Sequence, residues 1–453
     1  MQHGSLSKPQ LQHIGAPELL QLIFRWIHPI KVLQYKRVCR SIHLALEDTG
    51  FARMNLCLFL NGGPVMHGTS YSEVEEDSAE TEDSGSDSES DGGLDPQDIG
   101  DTGTMSALHQ NHALRSLLLH HSRYGLVSTR PTELDCAFFR FPEAYQRAHA
   151  ANTLSLFKRL VWSNKHLTGQ VPTAIGILNT LSELDLSQNQ LIGPLPLPLV
   201  SISSLHKLNL SSNQLTGVVP SLASLIKLQA LDLSHNKFAG SLPDFPASLK
   251  MLTLNNNKFT GSLPVSLYSL QKLLFLKADT NKLSGTLSHD ISKLTCLLLL
   301  DLGNNQLRGK IPAEIGQSLV KLYLHNNCFT GSIPDALGSL VALEDLWLNG
   351  NAFSGLIPAS LFRLPRVSAV RLDGNPRLLG GIPADVGRMQ CLRYLNFSGC
   401  AGIRCELPAE LGTLPYLREV NVNGSGIVKN IPKSVEKDGC EWKRLKRLGF
   451  QQA

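Results

Sequence analysis

One motif, LxxLxLxxNxLxGxIP, recurs about twelve times between Lys158 and Pro432 at intervals of 21 to 25 residues. Clear copies run from Leu181 to Pro196, Leu205 to Pro220, Leu228 to Pro243 and Leu343 to Pro358. A period in this range predicts that similar supersecondary units stack on one another and share a continuous core. Because each unit contacts only its neighbours, the chain should form an elongated solenoid that presents a long surface rather than a catalytic cleft.

Within each copy, the LxL segment predicts a short strand. Side chains alternate between the two faces of a strand, so both leucines should point into the core and the residues beside them should face outward. The asparagine that follows can satisfy backbone groups of its own coil and of the neighbouring coil with its side-chain amide. It occupies positions 189, 213, 236, 257, 281, 305, 327, 351 and 375, and Cys400 replaces it in the next copy.

The motif resembles that of the plant-type leucine-rich repeat family over about 270 residues. This resemblance implies a second strand on the opposite, convex side of each repeat. We therefore expect an α/β solenoid, a right-handed leucine-rich repeat superhelix of about twelve repeats with a concave parallel sheet. The repeat domain should span residues 158–432, with an N-terminal helical cap at 130–157 and a basic C-terminal capping helix at 433–453.

The predicted concave strands contain a row of residues that differ from the residue types usual in the motif. The position between the two inward residues gives Tyr323, Trp347 and Arg371 in successive repeats. Strands about 4.8 Å apart would bring them into a row about 10 Å long. Trp, Tyr and Arg often dominate interface energies, at about 2 kcal/mol or more each. We interpret the row as the centre of a protein-binding site; chance alignment of variable positions is the alternative.

Further residues are expected to extend this site. An apolar row should lie beside its start, polar residues should flank its other side, and exposed apolar residues in a row need a cover. The cover would be another protein or the N-terminal part of this chain. The predicted protein-binding residues are Met251, Phe275, Leu299, Tyr323, His325, Trp347, Asn349, Arg371, Asp373 and Tyr394.

Residues 9–50 have a different periodicity. Leu19, Leu20, Ile23 and Phe24 fall at helical spacing behind Pro17, and proline suits the first turn of a helix. A helical module of about 40 residues buries little core and benefits from a partner surface.

This module resembles an F-box. The residues on which this resemblance rests are Ala16-Pro17-Glu18-Leu19-Leu20, Ile23-Phe24, Val32-Leu33 and Val38-Cys39-Arg40. The resemblance implies binding to the adaptor subunit of a cullin-RING ubiquitin ligase through Pro17, Leu19, Leu20, Ile23 and Phe24. Two positions depart from the family's pattern, since Ala16 replaces a leucine and Ile42 replaces a tryptophan. A helical head with a purely structural role is the alternative.

The net charge of +4 conceals an acidic segment. Thirteen acidic residues lie between Glu73 and Asp101, and no Lys or Arg occurs from Met54 to Leu114. Few apolar residues are available for burial there, so we expect a disordered linker at residues 70–104. Each of four serines precedes an acid by three residues, a pattern that acidophilic kinases prefer: Ser72, Ser84, Ser86 and Ser88. A phosphorylated tether and an unmodified spacer both fit this composition.

The sequence also bears on the cellular compartment of the protein and on whether it catalyses a reaction. The N-terminus has no apolar signal region, no apolar run is long enough to span a bilayer, and the nine cysteines lack paired spacing. We therefore expect a cytoplasmic or nuclear protein, or one found in both. No phosphate loop, HExxH motif or paired nucleophile and base is present, so we expect no enzyme and neither a cofactor nor a metal site. No nucleic acid partner is expected.

Three functions remain for such a chain. The first is a substrate receptor of a cullin-RING ubiquitin ligase that binds its target on the concave face. The second is a scaffold that acts without ubiquitin. The third is an extracellular receptor, in which Asn209, Asn396 and Asn423 would be glycosylation sites.

Overall fold

The LxL segments pair side by side into one long parallel sheet in the computed structural model, which describes residues 127–431, 435 and 439–452. The sheet has thirteen strands: twelve come from the repeats, and Val127–Ser128 pairs with the first of these. We call it the long sheet, and it corresponds to the predicted concave sheet. Its strands are Val127–Ser128, Arg159–Val161, Glu183–Asp185, Lys207–Asn209, Ala230–Asp232, Met251–Thr253, Phe275–Lys277, Leu299–Asp301, Lys321–Tyr323, Asp345–Trp347, Ala369–Arg371, Tyr394–Asn396 and Glu419–Asn421.

The central residue of each repeat strand points into the core. Leu276, Leu300 and Leu346 are fully buried, while the residues on either side of them are at least partly exposed. Phenylalanines that follow the repeat asparagine add to this core, and the rings of Phe329 and Phe353 stack with centroids 6.2 Å apart. Alternation along the strand therefore leaves the flanking residues on the outer face of the long sheet.

Shorter parallel strands line the opposite side of the repeats, as the family resemblance implied. Six form one sheet: Thr168–Gln170, Gln190–Gly193, Gln214–Val218, Lys237–Ser241, Lys258–Gly261 and Lys282–Leu283. Four form another: Arg308–Gly309, Cys328–Gly331, Ala352–Leu356 and Arg377–Leu379. A bridge between Thr286 and Arg308 joins the two sheets, together with backbone hydrogen bonds from Gln306 to Leu283 (2.7 Å) and from Arg308 to Gly285 (2.8 Å), so the second layer continues across this point.

Short 3₁₀ helices connect this second layer to the next strand of the long sheet in most repeats. They are Leu154–Leu156, Thr173–Ile177, Leu197–Ser201, Val265–Ser269, His289–Lys293, Asp335–Ser339, Ala359–Arg363, Ala384–Arg388 and Ala409–Thr413. Among the described repeats, the connections at 219–227, 242–249 and 310–320 contain no helix. Two of these belong to the repeats with the shortest asparagine spacing.

The repeat asparagines hydrogen-bond adjacent coils together. Oδ1 of Asn213 accepts from the backbone N of Leu191 (3.0 Å), and its Nδ2 donates to the backbone O of Leu186 (2.9 Å) and of Leu210 (3.1 Å). Sγ of Cys400 replaces part of this pattern and donates to the backbone O of Leu372 (3.2 Å). Buried backbone groups that would otherwise be unpaired are satisfied in this way.

Two helices, α1 (Glu133–Phe138) and α2 (Glu143–Asn152), cover the first repeat. Thr132 and Asp135 form a capping box at the start of α1, and Asp135 also contacts Nε2 of buried His149 at 2.7 Å. Trp162 in the first repeat is buried, and its Nε1 donates to Oγ of Ser128 (2.9 Å). Aromatic residues of the cap thus exclude water from the end of the core.

A third helix, α3 (Cys440–Arg447), packs on the last repeat. Leu445 is buried, and Nη1 of Arg444 donates to the backbone O of Gly412 and of Leu414, both at 2.9 Å. Strands Asn430–Ile431 and Gln451–Gln452 pair beside it. No helix in the described ranges is both long and apolar enough to cross a membrane.

The predicted helical module at 9–50 and the acidic linker at 70–104 lie outside the described residues. The same is true of the predicted adaptor-binding and phosphorylation residues, Pro17, Leu19, Leu20, Ile23, Phe24, Ser72, Ser84, Ser86 and Ser88. The expectations about them stay predictions.

Candidate interaction site on the long sheet

The long sheet aligns Tyr323, Trp347 and Arg371 in neighbouring strands. Tyr323 is in register with Trp347, and Trp347 with Arg371. The rings of Tyr323 and Trp347 have centroids 4.7 Å apart, and Cζ of Arg371 lies 5.1 Å from the centre of the indole. His325 meets the same indole edge-on at 5.5 Å. We call Tyr323, His325, Trp347 and Arg371 the aromatic cluster.

The aromatic cluster is half-buried, because its members pack against one another as well as facing solvent. The hydroxyl of Tyr323 donates to Oδ2 of Asp345 (2.8 Å), and that carboxylate also pairs with Lys321 at 3.3 Å. Burial, followed by the hydrogen bond to Asp345, raises the pKa of Tyr323 above its ordinary value. Asp345 therefore positions a residue of the cluster, a role that the sequence did not indicate.

His325 is held in place by the preceding repeat. Gly303 leaves room for its ring, since a Cβ at Gly303 would collide with the imidazole. Oδ1 of Asn304 accepts from Asn326 (2.8 Å), so Nδ2 of Asn304 faces Nε2 of His325 (3.1 Å) as a donor. Nε2 is then the acceptor, and the ring proton belongs on Nδ1. Burial lowers the pKa of His325, which favours this neutral form.

Several polar atoms of this region are buried without a hydrogen bond. In the described structure they include Nδ1 of His325, Nε1 of Trp347, Oδ1 of Asn349 and Oδ1 of Asp373. Asp373 Oδ1 retains an ionic contact with Nε of Arg371 at 3.5 Å. Leaving such an atom unpaired costs about 1–3 kcal/mol.

Asn349 differs from what the sequence suggested. We expected it to flank the row as a contact residue, but only 7% of it is exposed. Asn349 is therefore too buried to act as a contact residue in this arrangement. His325 and Asp373 remain partly exposed beside it.

An open depression of about 320 Å³ adjoins the aromatic cluster. Ala369 is the small residue that leaves this space between its register partners Asp345 and Tyr394. The residues that line the depression are Trp347, Ala369, Arg371, Tyr394, Leu395, Asn396 and Glu419. Tyr394 is 41% exposed, so the depression can receive one side chain between two aromatic rings.

The predicted apolar row is present and is wider than expected. Met251, Phe275 and Leu299 are in register on adjacent strands. Leu274, Leu298 and Val320 form a second column beside them, linked by backbone hydrogen bonds from Leu298 to Leu274 (2.9 Å) and from Val320 to Leu298 (2.8 Å). All are at least partly exposed. We call these six residues the apolar patch.

Two carboxylates follow the apolar patch on the same repeats. Burial raises the pKa of Asp301 to about 6, and the negative charge of Asp279 adds to this effect. The backbone N of Gly303 donates to Asp301 (3.1 Å) and, with Lys277, opposes the shift. We call Asp279 and Asp301 the acidic pair. The sequence motif does not reveal the acidic pair, because aspartate is common in these repeats at the position of Asp301.

Within the described ranges, no three His, Cys, Asp or Glu residues are grouped so that they could hold a metal ion. The site offers aromatic, apolar and charged contacts on an open sheet, and such a surface is suited to binding another chain.

Comparison with protein families supports the repeat assignment. A model of paired leucine-rich repeats matches residues 203–247, and a single-repeat model matches 248–270, 296–317, 318–340 and 342–364. No curated protein sequence matches the chain.

Solved structures share the fold. A TDR receptor is 28% identical with a TM-score of 0.61, and the match covers 64% of this chain and 51% of that one. The Arabidopsis receptor kinase HAESA, in complex with the peptide hormone IDA and the co-receptor SERK1, is 29% identical (TM-score 0.59, 64% and 48% covered). The plant peptide hormone receptor RGFR1, in complex with RGF2, is 29% identical (TM-score 0.58, 69% and 52% covered).

This chain spans about half the length of those structures. The repeats of the chain are therefore leucine-rich repeats, stacked in a solenoid.

Proposed function

We propose that this protein is a non-catalytic receptor that binds a protein or peptide segment on the long sheet. The observation that carries the proposal is the aromatic cluster on the outer face of the long sheet, where Trp347 lies between Tyr323 (ring centroids 4.7 Å apart) and Arg371 (5.1 Å from the indole). Partly exposed aromatic and arginine side chains grouped in this way favour a partner that covers them.

The neighbouring depression supports the same proposal. A partner main chain that crosses the aromatic cluster would place one side chain between Trp347 and Tyr394. Buried aromatic and arginine contacts of this type often dominate the binding energy of an interface. Two of the similar solved structures are peptide hormone complexes, which agrees with a peptide segment as the bound form.

A more specific proposal names the complex in which the protein acts. Because residues 9–50 resemble an F-box, we infer that the bound protein is presented to a cullin-RING ubiquitin ligase in the cytoplasm or nucleus. The protein would raise the effective concentration of its target near the ligase by tethering and would perform no chemistry itself. The acidic linker, phosphorylated or not, would set the reach of that tether.

A second candidate is a peptide receptor that acts without ubiquitin, as a scaffold or as an extracellular protein. The observation that favours it is the likeness to receptor structures.

Affinity purification of the tagged full-length protein separates these functions. Phe24→Asp should remove a ligase adaptor and leave the long-sheet partner in place. Trp347→Ala should remove that partner and leave the adaptor. Trp442→Ala is the matched control, because it makes the same truncation on helix α3, away from the long sheet.

The outcomes are distinct. If the wild type recovers no adaptor or cullin, the ligase role falls while the receptor role stands. If Trp347→Ala retains every partner that Trp442→Ala retains, the aromatic cluster is not the binding site.

A further inference from the structure

We propose that the apolar patch and the acidic pair together form a second binding site, which takes an amphipathic peptide segment that carries Lys or Arg beside an apolar stripe. The inference rests on the proposed receptor function and adds the chemistry of the partner. It concerns repeats that precede the aromatic cluster, so the two sites can be tested separately.

The apolar patch has the dimensions of a short docking surface. Its two columns cross four neighbouring strands, which at about 4.8 Å per strand gives a length of about 15 Å. Polar residues bound it at both ends, with Lys250 exposed before it and the Lys321–Asp345 ion pair (3.3 Å) after it. Apolar side chains grouped in this way favour a partner that removes them from water.

The acidic pair fixes the charge of that partner. Asp301 comes two residues after Leu299 and Asp279 comes four residues after Phe275, and Lys277 is in register with Asp301, so two carboxylates and one ammonium group border one side of the apolar patch. The negative charge of Asp279 disfavours ionisation of Asp301, and the positive charge of Lys277 opposes this effect. A Lys or Arg of the partner would relieve the repulsion, whereas Glu or Asp would add to it.

The spacing fits one amphipathic segment. Leu299 and Asp301 are two residues apart on a strand, or about 7 Å, and an α-helix with its side chains is about 10–12 Å wide. A partner helix, or an extended segment of similar width, can therefore cover the apolar patch with one side and reach the acidic pair with the other. A wholly apolar partner would leave Lys277 as the cation beside two carboxylates.

Synthetic peptides test the proposal on the full-length protein. The probes are fluorescein-labelled helical peptides of about 14 residues: one with a leucine face bordered by Lys, one with Glu at the Lys positions, and one that scrambles the first. Fluorescence anisotropy should show the Lys peptide binding at least about tenfold tighter than the other two, and its affinity should fall with added salt.

Protein variants assign the contacts. Asp279→Asn with Asp301→Asn should weaken binding of the Lys peptide and abolish the preference for Lys over Glu, while leaving the fold intact because Asn retains the carbonyl oxygen. Phe275→Asn should weaken both charged peptides. Trp347→Ala should change none of these affinities by more than about twofold, because its contacts lie outside the apolar patch.

Each contrary outcome is informative. Equal binding of the Lys and Glu peptides, or an unchanged preference in the Asn variants, overturns the proposal. Concentration-dependent dimers in sedimentation, lost in Phe275→Asn, would assign the apolar patch to a second copy of the chain instead. If no peptide binds but Trp347→Ala still strips the cellular partner, this inference fails and the receptor function stands. If the Lys peptide binds as expected but Trp347→Ala strips nothing, the receptor proposal fails at the aromatic cluster alone.

Discussion

The hydroxyl of Tyr323 reaches across to the next repeat and donates a hydrogen bond of 2.8 Å to Oδ2 of Asp345. The same carboxylate accepts from Oγ of Ser368 (3.2 Å) on its other oxygen, so three consecutive repeats meet at Asp345. This bond fixes the orientation of the ring that packs against Trp347. The proposed binding surface is therefore arranged before any partner arrives, which would reduce the entropy lost on binding.

Tyr323→Phe should lower the free energy of unfolding by about 1 kcal/mol, because it removes one hydrogen bond and leaves Asp345 paired with Lys321. Urea unfolding would measure the change. Tyr416→Phe is the control, since Tyr416 is 58% exposed and its hydroxyl is in solvent, and it should have no measurable effect. An equal loss in both variants would show that the bond to Asp345 contributes nothing to stability.

The double variant Tyr323→Ala, Trp347→Ala should abolish partner binding. From the sequence alone, we would expect almost no change in stability, as for fully exposed residues. The observed packing of the two rings and the hydrogen bond of Tyr323 to Asp345 modify that expectation to a loss of about 2–3 kcal/mol. Trp162→Ala provides the comparison, because a core tryptophan should cost about 3–5 kcal/mol. A loss as large as that of Trp162→Ala would mean that the cluster is part of the core.

Asp301→Asn should stabilise the protein at neutral pH. The pKa of Asp301 is raised from 3.8 to about 6 in the folded state, mainly by burial. The folded state then binds more protons than the unfolded state between these values, so the stability of the wild type falls as pH rises from about 4 to about 6. Because the carboxyl is partly solvated, we expect a gain of about 1–2 kcal/mol for Asp301→Asn near pH 7 and none near pH 4.

Urea unfolding at both pH values would measure this gain. Asp232→Asn is the matched control, since it occupies the equivalent strand position between Asn209 and Thr253, which carry no charge. If both variants respond to pH alike, the burial of Asp301 and its proximity to Asp279 are not the cause.

Thr280→Asn should also stabilise the protein. Thr280 adopts a left-handed backbone with φ of 55°, which a β-branched residue tolerates poorly. Asn256, Asn304 and Asn326 occupy the same position of other repeats with nearly the same φ. We expect a gain of about 1 kcal/mol, reduced in part by loss of the bond from Thr280 Oγ1 to Asp279 (3.1 Å).

Asn304 is unsuitable for the reverse change because it contacts His325, so Asn256→Thr is the matched variant. It should lower thermal stability by a similar amount. If neither Thr280→Asn nor Asn256→Thr changes thermal stability, the left-handed backbone at Thr280 is not strained.

The repeat strands could be predicted because the buried leucines define both the strand and its register. Once Leu322, Leu346 and Val370 are assigned to the core, Tyr323, Trp347 and Arg371 must align on the outer face, and they do. Whether that face binds a partner is a separate question that alignment does not answer.

Other features of the site depend on side-chain packing, and the strand register does not reveal them. Asn349 has the same register as its neighbours, yet it is buried because of the residues around it. The strand pattern does not predict the column of Leu274, Leu298 and Val320, because these residues precede the strands. Its signal is present in the sequence, since three successive repeats have an apolar residue at a position where the other repeats have polar or charged residues.

The hydrogen bonds that continue the second layer from Leu283 and Gly285 to Gln306 and Arg308 have a mechanical consequence. Both layers of the solenoid are bonded through the repeats that carry the apolar patch, so bending there would have to stretch hydrogen bonds on one side. The apolar patch and the aromatic cluster are therefore held at a fixed separation along the long sheet, and a single partner that touches both would have to match this spacing.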